Sequence, residues 1–263
     1  MGGNMVRASA CLLLLVLLLP GCIRREESAP PDVEAAREAL SKGFYLEAET
    51  SYERYLQKEP QGSFRREAWD RLLDISLSVK GDVDRSVMLL ESMVLEFGGA
   101  TATGEDPLFL LGDLYEQQGN RAKAMETWEK CLKLTDDPEK SVPVRIRLAR
   151  AQRNQRNFEA AQETLERCSQ EASTPALKAR CLYESAQNDT FTQSFGRAKT
   201  SLEELLALPG VVDETRALAV FLLVDIYEQE GRLPEARNLL ESIRATYPNP
   251  LVVEARLKSL GKR

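Results

Sequence analysis

The chain contains no histidine in 263 residues. That removes Ser-His-Asp and Cys-His catalysis, the commonest general acid/base and every His-containing zinc site. It also has no P-loop, no GxGxxG and no CxxC. Aromatic residues make up only 6%. No apolar run reaches the ~20 residues that a membrane-spanning helix needs. Long β-branched stretches are missing too, while Leu and Ala abound, which leaves no room for a sheet. Acidic pairs such as Glu203/Glu204 and Asp136/Asp137 stand at helical spacing among Lys and Arg, as solvated faces do. The sequence therefore points to no enzyme and calls for no cofactor or metal.

What is present is a turn that recurs at a nearly fixed interval. It falls at Gly43, Gly81, Gly119, Arg156, Gln193 and Gly231. Five residues past each mark sits a small residue: Ala48, Ser86, Ala124, Ala161, Ala198, Ala236. Nine past sits a large apolar one: Tyr52, Leu90, Trp128, Leu165, Leu202, Leu240. Three columns in register over six copies signal a stacked array. In the third copy, Asp106-Pro107 reads as a cap followed by proline at the first helical position. Leu108, Leu111 and Tyr115 share one helix face, Gly119 closes that helix, and Ala124, Trp128, Cys131 and Leu132 mark a second. Gly112 and Ala124 are small where the two helices must approach. The second and fifth copies are weak in their first helices, with Asp74 in the small column and Asp189 in the aromatic one.

The unit, a helical hairpin with a small-residue contact, closely resembles the tetratricopeptide repeat. The resemblance covers roughly residues 32–250. It implies an all-α, right-handed superhelical solenoid of six hairpins, closed by a short capping helix within 251–263. In that helix Leu251, Val252, Ala255 and Leu257 are expected to face the last repeat. The period exceeds the usual ~34 residues and is similar to that of tetratricopeptide lipoproteins of the bacterial outer membrane. The ending ATYPNPLVVEARLKSL resembles passages in outer-membrane assembly lipoproteins of the BamD type and in the Tol-associated coordinator of division.

Residues 1–21 read as a secretory signal: Arg7, then an apolar run from Ala8 to Leu19. Leu19-Pro20-Gly21-Cys22 resembles the bacterial lipobox, with Pro20 where Ala, Ser, Thr or Val is commoner. The resemblance implies acyl chains on Cys22, which becomes the new N-terminus, and residues 22–31 then form a tether. An ordinary cleaved signal with an incidental Cys22 is the alternative. No Asp follows Cys22, which favours the outer membrane, facing the periplasm. Removing residues 1–21 takes away one Arg and no acid, which leaves 34 basic and 41 acidic groups, a net of −7. That argues against nucleic acid.

Cys131 and Cys168 share the column twelve past the turn with Tyr55, Met93, Leu205 and Ile243, as small core residues would. A Cys168–Cys181 bridge between consecutive helices is left open. In arrays of this kind the first helices line the concave face. Phe109 and Phe221 are candidates to meet a partner there. Arg147, Arg150 and Arg153 stand three apart and form one ridge. The ridge is either a cradle for an acidic peptide or a solvated face paired with Glu126 or Glu163. On both readings, changing the three to Gln should leave the melting midpoint nearly unchanged. The expected function is a membrane-anchored, non-enzymatic adaptor for protein partners in the envelope. The alternative is a subunit of outer-membrane protein assembly.

Overall fold

The computed structural model describes residues 28–98 and 106–262. The signal segment, Cys22 and most of the tether lie outside the described residues. Among those described there are thirteen α-helices and no strand, and no helix is long and apolar enough to cross a membrane. They pair in chain order as six hairpins. These are α1 (Pro31–Ser41) with α2 (Tyr45–Lys58), α3 (Arg65–Asp74) with α4 (Val83–Phe97), and α5 (Pro107–Gln117) with α6 (Arg121–Leu134). Next come α7 (Pro138–Asn154) with α8 (Phe158–Glu171), α9 (Pro175–Phe191) with α10 (Phe195–Ala207), and α11 (Asp213–Gln229) with α12 (Leu233–Ile243). A final α13 (Pro250–Ser259) packs on the last hairpin.

The three sequence columns have one cause. All six turn residues have positive φ, from 57° at Gln193 to 76° at Gly119. In five turns the amide after this residue bonds back to the carbonyl four before it, as Asn120 does to Tyr115 at 2.8 Å and Ser194 to Asp189 at 2.8 Å. The turn residue's own amide reaches the carbonyl three before it, as Gly119 does to Glu116. This pair of bonds satisfies the last carbonyls of the first helix. The tight reversal brings the next helix against the first, so the small column is crushed at the contact: all six residues are 0% exposed. The large column fills the space between hairpins, and none of its members is more than 1% exposed.

In the third hairpin Asp106 caps α5 by accepting from Leu108 N, with Pro107 in the first turn. Gly112 meets Trp128 rather than Ala124. A Cβ on Gly112 would lie 2.9 Å from Cε2 of the indole and closer still to Nε1 and Cδ1.

The weak second copy has a local explanation. After Asp74 the chain continues as a π-helical segment, Ile75–Lys80, which carries one residue more than an α-helical turn would. Asp82 N therefore bonds to Ser76 O, five before Gly81 instead of four. The insertion rotates Asp74 to the surface and buries Ser76 against Ser86, their hydroxyls 2.8 Å apart. In the fifth copy Asp189 does take the interior position. It is 1% exposed, with Arg197 Nη2 2.7 Å from Oδ1, and burial raises its pKa.

The capping helix corrects one expectation. Val253 is buried, and Leu257 and Leu260 pack beside it, whereas Leu251, Val252 and Ala255 are exposed. The apolar face runs i, i+4, i+7 from Val253, one residue out of phase with the expected stripe. Arg256 fixes this rotation by pairing with Asp225 and Glu228 of α11.

Candidate functional site

Among the described residues, ion pairs tie the first helices at three of the five junctions between hairpins and join α13 to α11. Arg37 of α1 pairs with Glu67 of α3, Nε to Oε1 at 2.7 Å. Arg147 of α7 reaches back to Asp113 of α5 at 3.1 Å. Arg150 and Arg153 of α7 reach forward to one carboxylate, Glu184 of α9, with Arg150 Nε at 2.9 Å from Oε1 and Arg153 Nη2 at 3.1 Å from Oε2. Arg256 of α13 sits between Asp225 and Glu228 of α11. The ridge predicted from the sequence is thus a bridge. Its partners are Asp113 and Glu184, not Glu126 or Glu163; Glu163 pairs instead with Arg167. Glu184 is 2% exposed, so two guanidinium groups compensate one buried carboxylate.

The two candidate aromatic residues are already engaged. Phe109 packs against the third-hairpin core, with the Arg147 guanidinium 5.8 Å from its ring centre. Phe221 meets Tyr247 edge-on at 5.4 Å. Phe191, which the sequence did not single out, is 64% exposed, stacks on Phe158 at 6.1 Å and carries Arg153 over its face at 5.6 Å.

Among the described residues no ion pair joins α3 to α5 or α9 to α11; one groove opens at the α3/α5 junction and another along α11, between Thr190 of α9 and Gly261. The larger, about 910 Å³, has an apolar floor that includes Leu73, Leu77 and Leu110, with Arg71, Asp70 and Asp74 along α3. Asp74 accepts from Ser78 at 3.0 Å. Asp70 accepts no hydrogen bond from any described side chain, and burial raises its pKa against the pull of Arg66 and Arg71. The smaller groove, about 670 Å³, is bordered by Leu222, Asp225, Ile226 and Glu228. No cluster of metal-ligating side chains occurs among the described residues.

Cys168 and Cys181 form a disulfide between α8 and α9, with Cα atoms 5.7 Å apart. Both are fully buried. The column placed Cys168 in the core correctly, and the bridge left open in the sequence is the second role of the same residue. Cys131 is a buried free thiol that donates to Asp106 Oδ2 at 3.3 Å. Burial, with help from that carboxylate, pushes its pKa up to about 12.

The tetratricopeptide repeat model matches residues 106–138, the third hairpin and the start of α7. No curated protein matches the chain. Solved structures do. The chain is similar to BtubC from P. vanneervenii, at 17% identity and TM-score 0.56 over 84% of this chain and 96% of that one. It is similar to pilF of Pseudomonas aeruginosa, at 13% identity and TM-score 0.53 over 87% and 96%. It is also similar to PilW, a type IV pilus biogenesis factor, at 18% identity and TM-score 0.55 over 86% and 96%. At such identities the likeness is one of fold. The third hairpin is therefore a tetratricopeptide repeat, and the chain is an all-α tetratricopeptide-type solenoid.

Proposed function

We propose that this chain is a non-enzymatic adaptor, held on the bacterial envelope by lipid on Cys22, which offers its first-helix face to protein partners. The observation that carries the adaptor reading is that face. Ion pairs tie α1 to α3, α5 to α7, α7 to α9 and α11 to α13, and an open groove with an apolar floor lies at the unpaired α3/α5 junction. Solenoids use such extended surfaces for binding.

The address rests on separate support. The lipobox-like Leu19 to Cys22 follows an apolar run too short to span a bilayer. The Cys168–Cys181 bridge suits an oxidising compartment, where disulfides persist. Two or more acyl chains would be needed for stable anchoring.

Two experiments test the two halves. Cys22→Ser should abolish labelling by a fatty-acid analogue and release the chain from membranes; a mutant that stays acylated would end the anchor reading. Photo-crosslinkers at first-helix positions should capture envelope proteins that exposed second-helix positions such as Leu134 do not. Equal capture from both faces would remove the adaptor surface.

A further inference from the structure

Each charged group on the first-helix face can be checked for whether it is satisfied within the chain. Arg37, Arg147, Arg150, Arg153 and Arg256 all hold carboxylates. Arg66 is engaged, with its guanidinium 4.2 Å from the centre of the Phe97 ring. Arg71 is exposed and lies close enough to act electrostatically on Asp70. Asp70 differs: it is half-buried at the rim of the α3/α5 groove, near Arg66 and Arg71 but with no described side chain hydrogen-bonded to it. A half-buried carboxylate with no donor of its own is free to accept a hydrogen bond from an incoming group.

The other end of the chain shows how such a place is filled. α13 lays Val253, Leu257 and Leu260 on the core of the last hairpin and sets Arg256 between Asp225 and Glu228. A basic residue flanked by large apolar ones satisfies carboxylates and apolar surface together. The α3/α5 junction has both halves of that arrangement, the apolar floor and the carboxylate, and no described residue fills it as α13 fills the other. It is also where the chain departs from regular geometry: the π-helical segment after Asp74 lines the groove through Leu77 and Ser78. π-segments often mark functional positions.

Building on the adaptor reading, we infer that the α3/α5 groove is the anchoring subsite for a partner protein. It receives a large apolar side chain over Leu73, Leu77 and Leu110, and a neighbouring lysine or arginine that bonds Asp70. The groove lining carries four carboxylates, Glu67, Asp70, Asp74 and Asp106, against three guanidinium groups, Arg37, Arg66 and Arg71, and this excess, with the chain's net charge of −7 without residues 1–21, favours a basic partner segment. This partner is opposite in sign to the acidic peptide that the arginine ridge suggested, because the ridge is internally paired.

The test pans a phage-displayed library of random peptides on the mature chain, with its disulfide intact. Enriched peptides should carry Lys or Arg beside Leu, Phe, Ile or Met. Anisotropy measured with a labelled peptide from that pool should show about tenfold weaker binding to Asp70→Asn. Asp70→Glu should retain most binding, and Leu110→Asp should abolish it. Circular dichroism and melting verify that each variant folds. Peptides that bind but ignore both Asp70→Asn and Leu110→Asp would overturn the subsite while the adaptor reading stands. Enrichment of acidic peptides would overturn the charge assignment. No enriched peptide at all would count against the subsite and the adaptor surface alike. A change of oligomeric state in Leu110→Asp would give the groove to a second copy and also overturn the proposal.

Discussion

Arg150 and Arg153 share one carboxylate, that of Glu184, across the junction between the fourth and fifth hairpins. Glu184 is 2% exposed, so removing both cations strands a buried charge. Arg150→Gln/Arg153→Gln should destabilise the fold by on the order of 3 kcal/mol. Adding Glu184→Gln should recover much of that loss. Arg147→Gln breaks only a half-exposed pair with Asp113 and should cost no more than about 1 kcal/mol. Urea titrations of the single, double and triple variants measure this, and an unchanged midpoint in the double variant would return the arginines to a solvated face.

Gly112 is fixed by its neighbour. An added Cβ would stand within the Trp128 indole, which is itself fully buried. Gly112→Ala should lower stability by about 1–3 kcal/mol. Shrinking the indole in Gly112→Ala/Trp128→Leu should give a loss smaller than the sum of the two single changes. Additive losses would show that the two residues do not compete for the same space.

Arg156 and Gln193 adopt left-handed backbone, φ 61° and 57°, where four other hairpins place glycine. The left-handed region costs an ordinary residue about 1–2 kcal/mol, part of which glycine returns as lost chain freedom. Arg156→Gly and Gln193→Gly should each stabilise the fold by up to about 1 kcal/mol. A fall in the thermal midpoint of either would show that the side chain matters more than the turn.

The Cys131 thiol has its pKa raised to about 12 in the fold, against 9.0 ordinarily. The folded state thus keeps a proton that the unfolded state gives up. The resulting stability is fully present below pH 9 and is lost as pH rises toward 12. Cys131→Ala should flatten that alkaline decline, although it sacrifices some packing. Native protein should resist iodoacetamide at pH 8 and label only on unfolding. Rapid labelling of the native chain would contradict the burial.

The array was legible because a tight helical turn forces three residue types into columns, and the six copies repeat that constraint. Arg156 and Gln193 were found from spacing alone, without glycine to mark them. The π-helical insertion was not legible. It leaves the turn-to-turn interval at 38 residues while moving the inner column from Leu77 to Ser76. The ridge was seen as three arginines, but its partners were missed. Asp113 and Glu184 lie 34 residues from Arg147 and Arg150, and only stacking brings them close. Val253 was missed for a similar reason. The α13 sequence offers apolar residues on more than one face, and the rotation is chosen from outside the helix, by Asp225 and Glu228 of α11, which hold Arg256.

The disulfide also changes how the molecule would come apart under load. A solenoid is held only by nearest neighbours, so tension on its ends peels hairpins away one after another. Peeling from the N-terminal side can release three hairpins and then meets a covalent bond, Cys168 to Cys181, that ties the fourth to the fifth. Peeling from the other side meets the same bond after α13 and the sixth hairpin. The centre of the chain therefore acts as a knot, and an extended, partly unravelled molecule keeps a folded middle from which its ends can rewind.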